Sequence, residues 1–219
     1  MFSANQLFDI DKTLAGVYLS GVKHPWEILP EIKSIILSLS LTLTDDYVHT
    51  DEFVWIHKTV KISPTAWIGP VCIIGEGTQV RHGAFIRGSA LIGKNCVVGN
   101  STEIKNAILF DGVQVPHYNY VGDSILGYKS HLGAGAITSN VKSDKTLVRV
   151  KSGEEIINTS LKKFGAILGD NVEVGCNSVL NPGTVIGRNS RIYPLSCVRG
   201  IVPENSIYKG KDDIVIMEG

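Results

Sequence analysis

Residues 56–104 read IHKTVKISPTAWIGPVCIIGEGTQVRHGAFIRGSALIGKNCVVGNSTEI, and an aliphatic residue returns at every sixth position: Ile56, Ile62, Ile68, Ile74, Val80, Ile86, Ile92, Val98 and Ile104. Two positions before each of the later ones stands a smaller residue: Ala66, Cys72, Thr78, Ala84, Ala90, Cys96 and Thr102. A glycine often follows the aliphatic residue, as in Ile68-Gly69 and Val98-Gly99. This period fits neither the 3.6 of a helix nor the two of a strand. It is the hexapeptide signature of a β-helix solenoid, in which three short strands make one triangular coil of about 18 residues. The aliphatic residue points inward and stacks on its equivalents. The small residue fills an inward corner where a larger side chain would overpack. Cys72 and Cys96 occupy such slots and are expected in the core.

Working outward, the register then slips. From Ile104 the next fitting residue is Leu109, five on; Val115 and Val121 follow at six, Leu126 at five and Leu132 at six. The small column changes as well, to Ala107, Val113, Asn119, Ser124 and Ser130. Local breaks of this kind re-aim side chains, as bulges do in sheets. After Asn140 the hexads stop. Residues 141–165 contain an alternating run, Leu147 to Val150, and a KSGEE turn, which predicts a hairpin loop projecting from one corner. The hexads resume at Leu168, Val174, Leu180, Ile186, Ile192 and Val198, with Cys176 and Cys197 outside the small column. The solenoid therefore occupies residues 51–200. Residues 201–219 are expected to close its C-terminal end. Residues 1–50 read as a helical extension. Leu7, Ile10, Leu14 and Val17 fall at helical spacing, and a second candidate helix carries Ile32, Ile35, Ile36 and Leu39 near Pro30. Its expected place is over an open end of the scaffold or in a subunit contact, since repeat architectures need terminal caps.

The 219 residues carry 21 Lys+Arg against 21 Asp+Glu. That balance argues against a nucleic-acid binder or a polybasic membrane surface. No apolar run of about 18 residues is present to span a bilayer. The start, MFSANQLFDIDKTLAG, lacks the basic and apolar regions of a signal peptide. None of the four cysteines forms a CxxC pair, so no zinc or redox motif is expected. A cytoplasmic location fits these features.

One segment is more specific than the hexads. GNSTEIKNAILFDGVQVPHYNYVGDS (99–124), followed by HLGAGAITSN (131–140), resembles the acetyltransferase domain of bacterial N-acetylglucosamine-1-phosphate uridyltransferase/glucosamine-1-phosphate acetyltransferases. KKFGAILGDNVEVGCNSVLNPGTVIG (162–187) is similar to archaeal sugar-1-phosphate nucleotidylyltransferases with an attached acetyltransferase domain. The resemblance implies a mainly β, single-stranded left-handed β-helix that assembles as a homotrimer with sites between subunits. It implies an acetyl-CoA-dependent N-acetyltransferase acting on a glucosamine-1-phosphate-like amino-sugar phosphate or a related sugar nucleotide, with no metal needed for the transfer.

Carried over by residue, the resemblance makes His117 the general base, a neutral imidazole suited to take the proton of the attacking amine. Arg87 and Lys105 match phosphate- and substrate-binding positions. Tyr120 and Asn140 match sugar contacts, and Lys145 matches a loop lysine once a gap is allowed. Ala134 would offer its N–H to the thioester oxygen. The coenzyme would run along later coils past Cys176 and Pro194. This chain departs from the pattern in three ways. No Gly-rich phosphate-cradling loop precedes the solenoid, so no nucleotidyltransferase activity is expected. His131 stands where the bacterial enzymes have asparagine, and the 141–165 loop differs. Two other readings stay open: a silent sugar-phosphate or sugar-nucleotide binding module, and a γ-carbonic-anhydrase-like metal hydratase using His82, His117 and His131.

Overall fold

A computed structural model describes residues 3–217. Met1, Phe2, Glu218 and Gly219, which belong to the expected extension and tail, lie outside the described residues.

The hexads form a three-sided parallel β-helix. One face stacks Lys61, Gln79, Val97, Gln114, His131, Glu173 and Arg191 in register. A second stacks Trp67, Phe85, Glu103, Tyr120, Ile137, Val179 and Cys197. The third stacks Cys72, Ala90, Ala107 and Ser124, then Ala166 and Thr184. The aliphatic column from Ile74 to Val198 is buried throughout, five-residue steps included. Ile62, 40% exposed, and the half-buried Ile68 are the exceptions; they belong to the first coil, and their strands pair with a coil on one side only among the described residues. Cys72 and Cys96 fill small slots as expected, and burial pushes both thiols up to about 12. The glycines after the aliphatic residues let the next coil approach. A Cβ on Gly99 would come within 1.6 Å of the Pro116 carbonyl oxygen.

The two lost residues come out of one corner. Where the corner after Ile86 uses two left-handed residues, Gly88 and Ser89, the next two coils use one each, Asn106 and Asp123. The strands Glu103–Leu109 and Tyr120–Leu126 therefore run unbroken around that corner. Asn106 lies above Asp123, and its Nδ2 donates to the Asp123 Oδ1 at 2.9 Å.

The N-terminal extension does not sit over the open end. It lies along the third face. The outward positions there are themselves apolar, and Ile73, Leu91, Ile108, Ile125, Ile167 and Val185 are almost fully buried. Over the first four of these the cover is the extension, with Trp26, Leu29, Ile32 and Ile36 buried in the same core. The face must be sheltered along its length, which a cap over one end would not do. The first expected helix is also broken up. Ala4–Leu7 and Gly16–Ser20 are separate short helices, and Leu14 and Val17 are exposed. The chain between them spends its backbone groups on the solenoid: the Leu7 carbonyl accepts from Asp170 N, and the Lys12 carbonyl accepts from Asp111 N. Asp9 N donates to the Asp170 carboxylate at 2.6 Å. The second helix forms at Ile32–Ser40, burying Ile32, Ile35 and Ile36.

Antiparallel strands finish both ends: Tyr47–Asp51 pairs with Val54–His57, and Ser206–Gly210 pairs with Asp213–Ile216. The 141–165 insert is a hairpin, Arg149–Ser152 with Glu155–Asn158. It folds onto the coils, because Gly183 and Gly200 present no side chain and the backbone of Arg149 and Lys151 rests against them. No helix among the described residues is long and apolar enough to cross a membrane.

Candidate active site

The sequence-predicted residues fall into two groups at the two ends of the second face. The first group gathers around Asp123. This aspartate is 4% exposed and holds a left-handed backbone, φ 48°. Lys105 Nζ lies 3.3 Å from one carboxylate oxygen, and Asn140 Nδ2 donates to the same oxygen. Asn106 Nδ2 donates to the other and also reaches the Leu29 carbonyl at 3.1 Å. The buried carboxylate thus sets the positions of Lys105 and Asn140 and ties both to the N-terminal extension.

One coil earlier, Arg87 donates to the Glu103 carboxylate at 2.8 Å, and Glu103 stacks beside Tyr120 in the sheet register. The Tyr120 ring lies across Gly122, where a Cβ would come within 2.5 Å of the phenolic oxygen. Burial, with the Asp123 and Glu103 carboxylates nearby, pushes the Tyr120 hydroxyl above its ordinary value. It stays protonated at neutral pH and able to donate to an anionic ligand. Arg87 and Lys105 occupy neighbouring rungs, half-exposed and a quarter exposed respectively. Each has one side-chain partner among the described residues, Glu103 and Asp123 respectively; a phosphate is recognised by Arg as a planar fork and by Lys as a point charge.

The second group lines the preceding corner. His117 is exposed at the end of strand Gln114–His117. Its carbonyl accepts from Gly135 N, which stacks the GAG turn one coil above it. In that turn Ala136 N donates to the Gly133 carbonyl and Gly135 has φ 71°, the geometry of a type II turn with Ala134 at its second position. The Ala134 N–H donates to no protein group among the described residues, so it is open to an oxyanion. Asn177 N donates to the Ala134 carbonyl and Leu195 N to the Cys176 carbonyl. Ala134, exposed Cys176 and exposed Pro194 therefore follow one another up the same corner.

Two residues outside the set predicted from sequence organise these groups. Asp123 is one; it sat inside the quoted motif. Asn119 is the other. It occupies a small-residue slot at 2% exposure. Its Nδ2 donates to the Gly133 and Ala136 carbonyls, and its Oδ1 accepts from His117 N. One buried amide thus fixes the His117 turn against the GAG turn. Its appearance in a column of Ala, Thr and Cys was the visible signal.

Lys145 joins neither group. It sits on an exposed turn of the insert, where its N–H donates to the Lys142 carbonyl. His82, His117 and His131 do not converge within the chain: His82 faces Thr65 and His131 faces Glu173. No cluster of three metal-ligating side chains occurs among the described residues. His117 and Asp123 lie six residues apart along one side of a coil, a span of up to about 20 Å at strand rise.

The family model described as GMPPB C-terminal domain matches residues 79–188. The bifunctional protein GlmU of Methanococcus maripaludis is 38% identical over 116 residues, 52% of this chain and 28% of the relative. A bifunctional sugar-1-phosphate nucleotidylyltransferase/acetyltransferase of Sulfurisphaera tokodaii is 34% identical over 107 residues, 49% of this chain and 27% of the relative. The chain thus spans under a third of the length of these curated relatives. Among solved structures, PerB from Caulobacter crescentus, in complex with CoA and GDP-perosamine, aligns with TM-score 0.45 at 18% identity, over 73% of this chain and 57% of that one.

Proposed function

The chain belongs to the family of the GMPPB C-terminal domain, and from that premise we propose that it is an acetyl-CoA-dependent N-acetyltransferase acting on an amino-sugar phosphate or a sugar nucleotide. The observation that carries this reading is the cluster around Asp123. It turns two cations, a protonated phenol and an amide toward one face, a set suited to a phosphate and the hydroxyls next to it. The curated relatives bear acetyltransferase and GlmU names, which supports the same chemistry here.

In this reading the acceptor amine attacks the thioester carbonyl carbon. His117 takes the amine proton through its free imidazole nitrogen. The Ala134 N–H donates to the carbonyl oxygen as negative charge develops on it. Collapse of the tetrahedral species breaks the carbon–sulfur bond, and the thiolate leaves with the proton held by His117. The coenzyme runs past Cys176 and Pro194. The separation between His117 and the Asp123 cluster supports a homotrimer, in which the His117 corner of one subunit meets the Asp123 corner of the next. Trp67, Phe85 and Ile137 leave apolar surface exposed on that same face, and their rings and side chains are suited to subunit contact. Four cysteines without a disulfide support a cytoplasmic setting.

A second reading, binding without transfer, is favoured by one observation: the His117 ring bonds to no side chain among the described residues, whereas a working base is usually held by a partner. A thiol-release assay with acetyl-CoA decides between them, run across amino-sugar phosphates and nucleotide-linked amino sugars. Acceptor-dependent release supports transfer. Binding of these compounds with no release from any of them supports the silent module.

A further inference from the structure

The insert and the last coils enclose a cleft of about 680 Å³ on the same side as the Asp123 corner, farther along the axis. Lys142, Arg149 and Lys151 come from the insert, Arg199 from the last full coil, and Lys211 from the terminal hairpin. Among the described residues no acidic side chain lines it. Lys142 is paired with Asp144, but the other four make no ion pair among the described residues. The chain as a whole has no net charge, so this concentration of one sign is a local construction. Ile201, the buried Tyr208 and Ile214 give the cleft an apolar wall.

The insert's hairpin is patterned for this. Val148 and Val150 are fully buried against the coils, so strand alternation turns Arg149 and Lys151 outward. Gly183 and Gly200 admit the hairpin backbone closely enough to hold the two cations over the cleft. A solenoid needs none of this to fold, and a long insert is normally kept for function.

We propose that this cleft binds the diphosphate of a nucleotide-bearing substrate: several cations take the phosphates and the apolar wall takes part of the nucleoside. Its size lies in the range of small-molecule pockets. Arg199 stands four rungs beyond Lys105, through Gly122, Ser139 and Asn181. At about 4.8 Å per rung that is about 19 Å. A ligand filling the cleft therefore reaches the Asp123 cluster only through a long arm, or meets a neighbouring subunit's reactive corner. Two sources carry such a diphosphate, the coenzyme and a sugar nucleotide. The inference rests on the acetyl-transfer reading for this choice of sources; the binding itself does not.

The test measures binding by titration calorimetry of the full chain with 3′-phospho-ADP, with UDP and GDP, and with unphosphorylated nucleosides. Acetyl-CoA thiol release is followed in parallel. The R149Q/K151Q variant is compared with K162Q/K163Q, which removes two exposed charges from the same insert outside the cleft. We expect one nucleotide class to bind, to weaken as salt rises, and to lose at least about tenfold in affinity in R149Q/K151Q only. Preference for 3′-phospho-ADP identifies the coenzyme as the source, and preference for UDP or GDP identifies a sugar nucleotide. Equal affinity in the two variants, or no binding of any nucleotide, overturns the proposal. Nucleotide binding without thiol release would instead fail the acetyl-transfer reading and leave the cleft assignment standing.

Discussion

Replacing Asp123 with asparagine removes its charge and keeps its shape. Asparagine tolerates the left-handed backbone that residue 123 adopts at φ 48°, so backbone strain contributes little to the change. The substitution removes the charge facing Lys105 Nζ at 3.3 Å. It also puts an NH2 group among the donors of Lys105, Asn106 and Asn140. A hydrogen bond between a charged group and its partner contributes about 1.5–3 kcal/mol. Lys105 is a quarter exposed and regains water, so its share falls at the low end. One amide donor left unmatched adds about 1 kcal/mol. The expected loss is about 2–3 kcal/mol, or about 5–10 °C in Tm for a domain of this size. Thermal unfolding measures the stability change. Steady-state kinetics then reads the site: KM for the acceptor should rise more than kcat falls, because Asp123 positions ligands without touching reacting atoms. A Tm within about 1 °C of wild type, with an unchanged acceptor KM, would refute the role given to this carboxylate.

Other expectations follow from the packing. Trp26→Ala removes a side chain 2% exposed that packs near Phe164, with ring centroids 5.6 Å apart. It should cost about 3–5 kcal/mol in denaturant unfolding; a loss under about 1 kcal/mol would mean that the extension is not an integral part of the fold. Cys72 and Cys96 ionise only near 12 when folded, against 9.0 for an ordinary thiol. Between those values the folded chain holds protons that the unfolded chain has released. Stability therefore falls as pH rises from 9 to 12, by about 1.4 kcal/mol per pH unit for each thiol. C72A/C96A should flatten that slope in unfolding measured across the alkaline range. In the native protein a thiol reagent should modify the exposed Cys176 and Cys197 quickly, and the other two only on unfolding.

The hexads made the solenoid legible because every coil repeats the same inward demand, so the sequence period is the coil itself. The register slip was legible as a break but not as a geometry. A count of residues shows that one is missing; it does not show that the missing residue is a corner residue, nor that its loss stacks Asn106 on Asp123. The N-terminal extension is less legible. Leu7, Ile10, Leu14 and Val17 have helical spacing, yet the chain there bonds to Asp111 and Asp170, partners far away in sequence. Its position on a side face was foreshadowed by Ile73, Leu91 and Ile108, the outward apolar residues next to the hexad column, which need cover. Of the site, Arg87, Lys105, Tyr120 and Asn140 come together as one group. His117 and Ala134 form another, a division that a motif written along one line does not display. The basic cleft joins residues 142–151 to residues 199–211, and only the folding of the insert onto Gly183 and Gly200 brings them together.

The proposed chemistry depends most directly on His117. The deciding measurement is the initial rate of acetyl-CoA thiol release by wild type and His117→Ala, at saturating acceptor and with matched oligomeric state and Tm. His117 is exposed and its side chain makes no hydrogen bond among the described residues, so the variant should fold as wild type does. Loss of general-base catalysis predicts a rate lower by about 10²–10⁴-fold. A rate within about twofold of wild type would contradict the account.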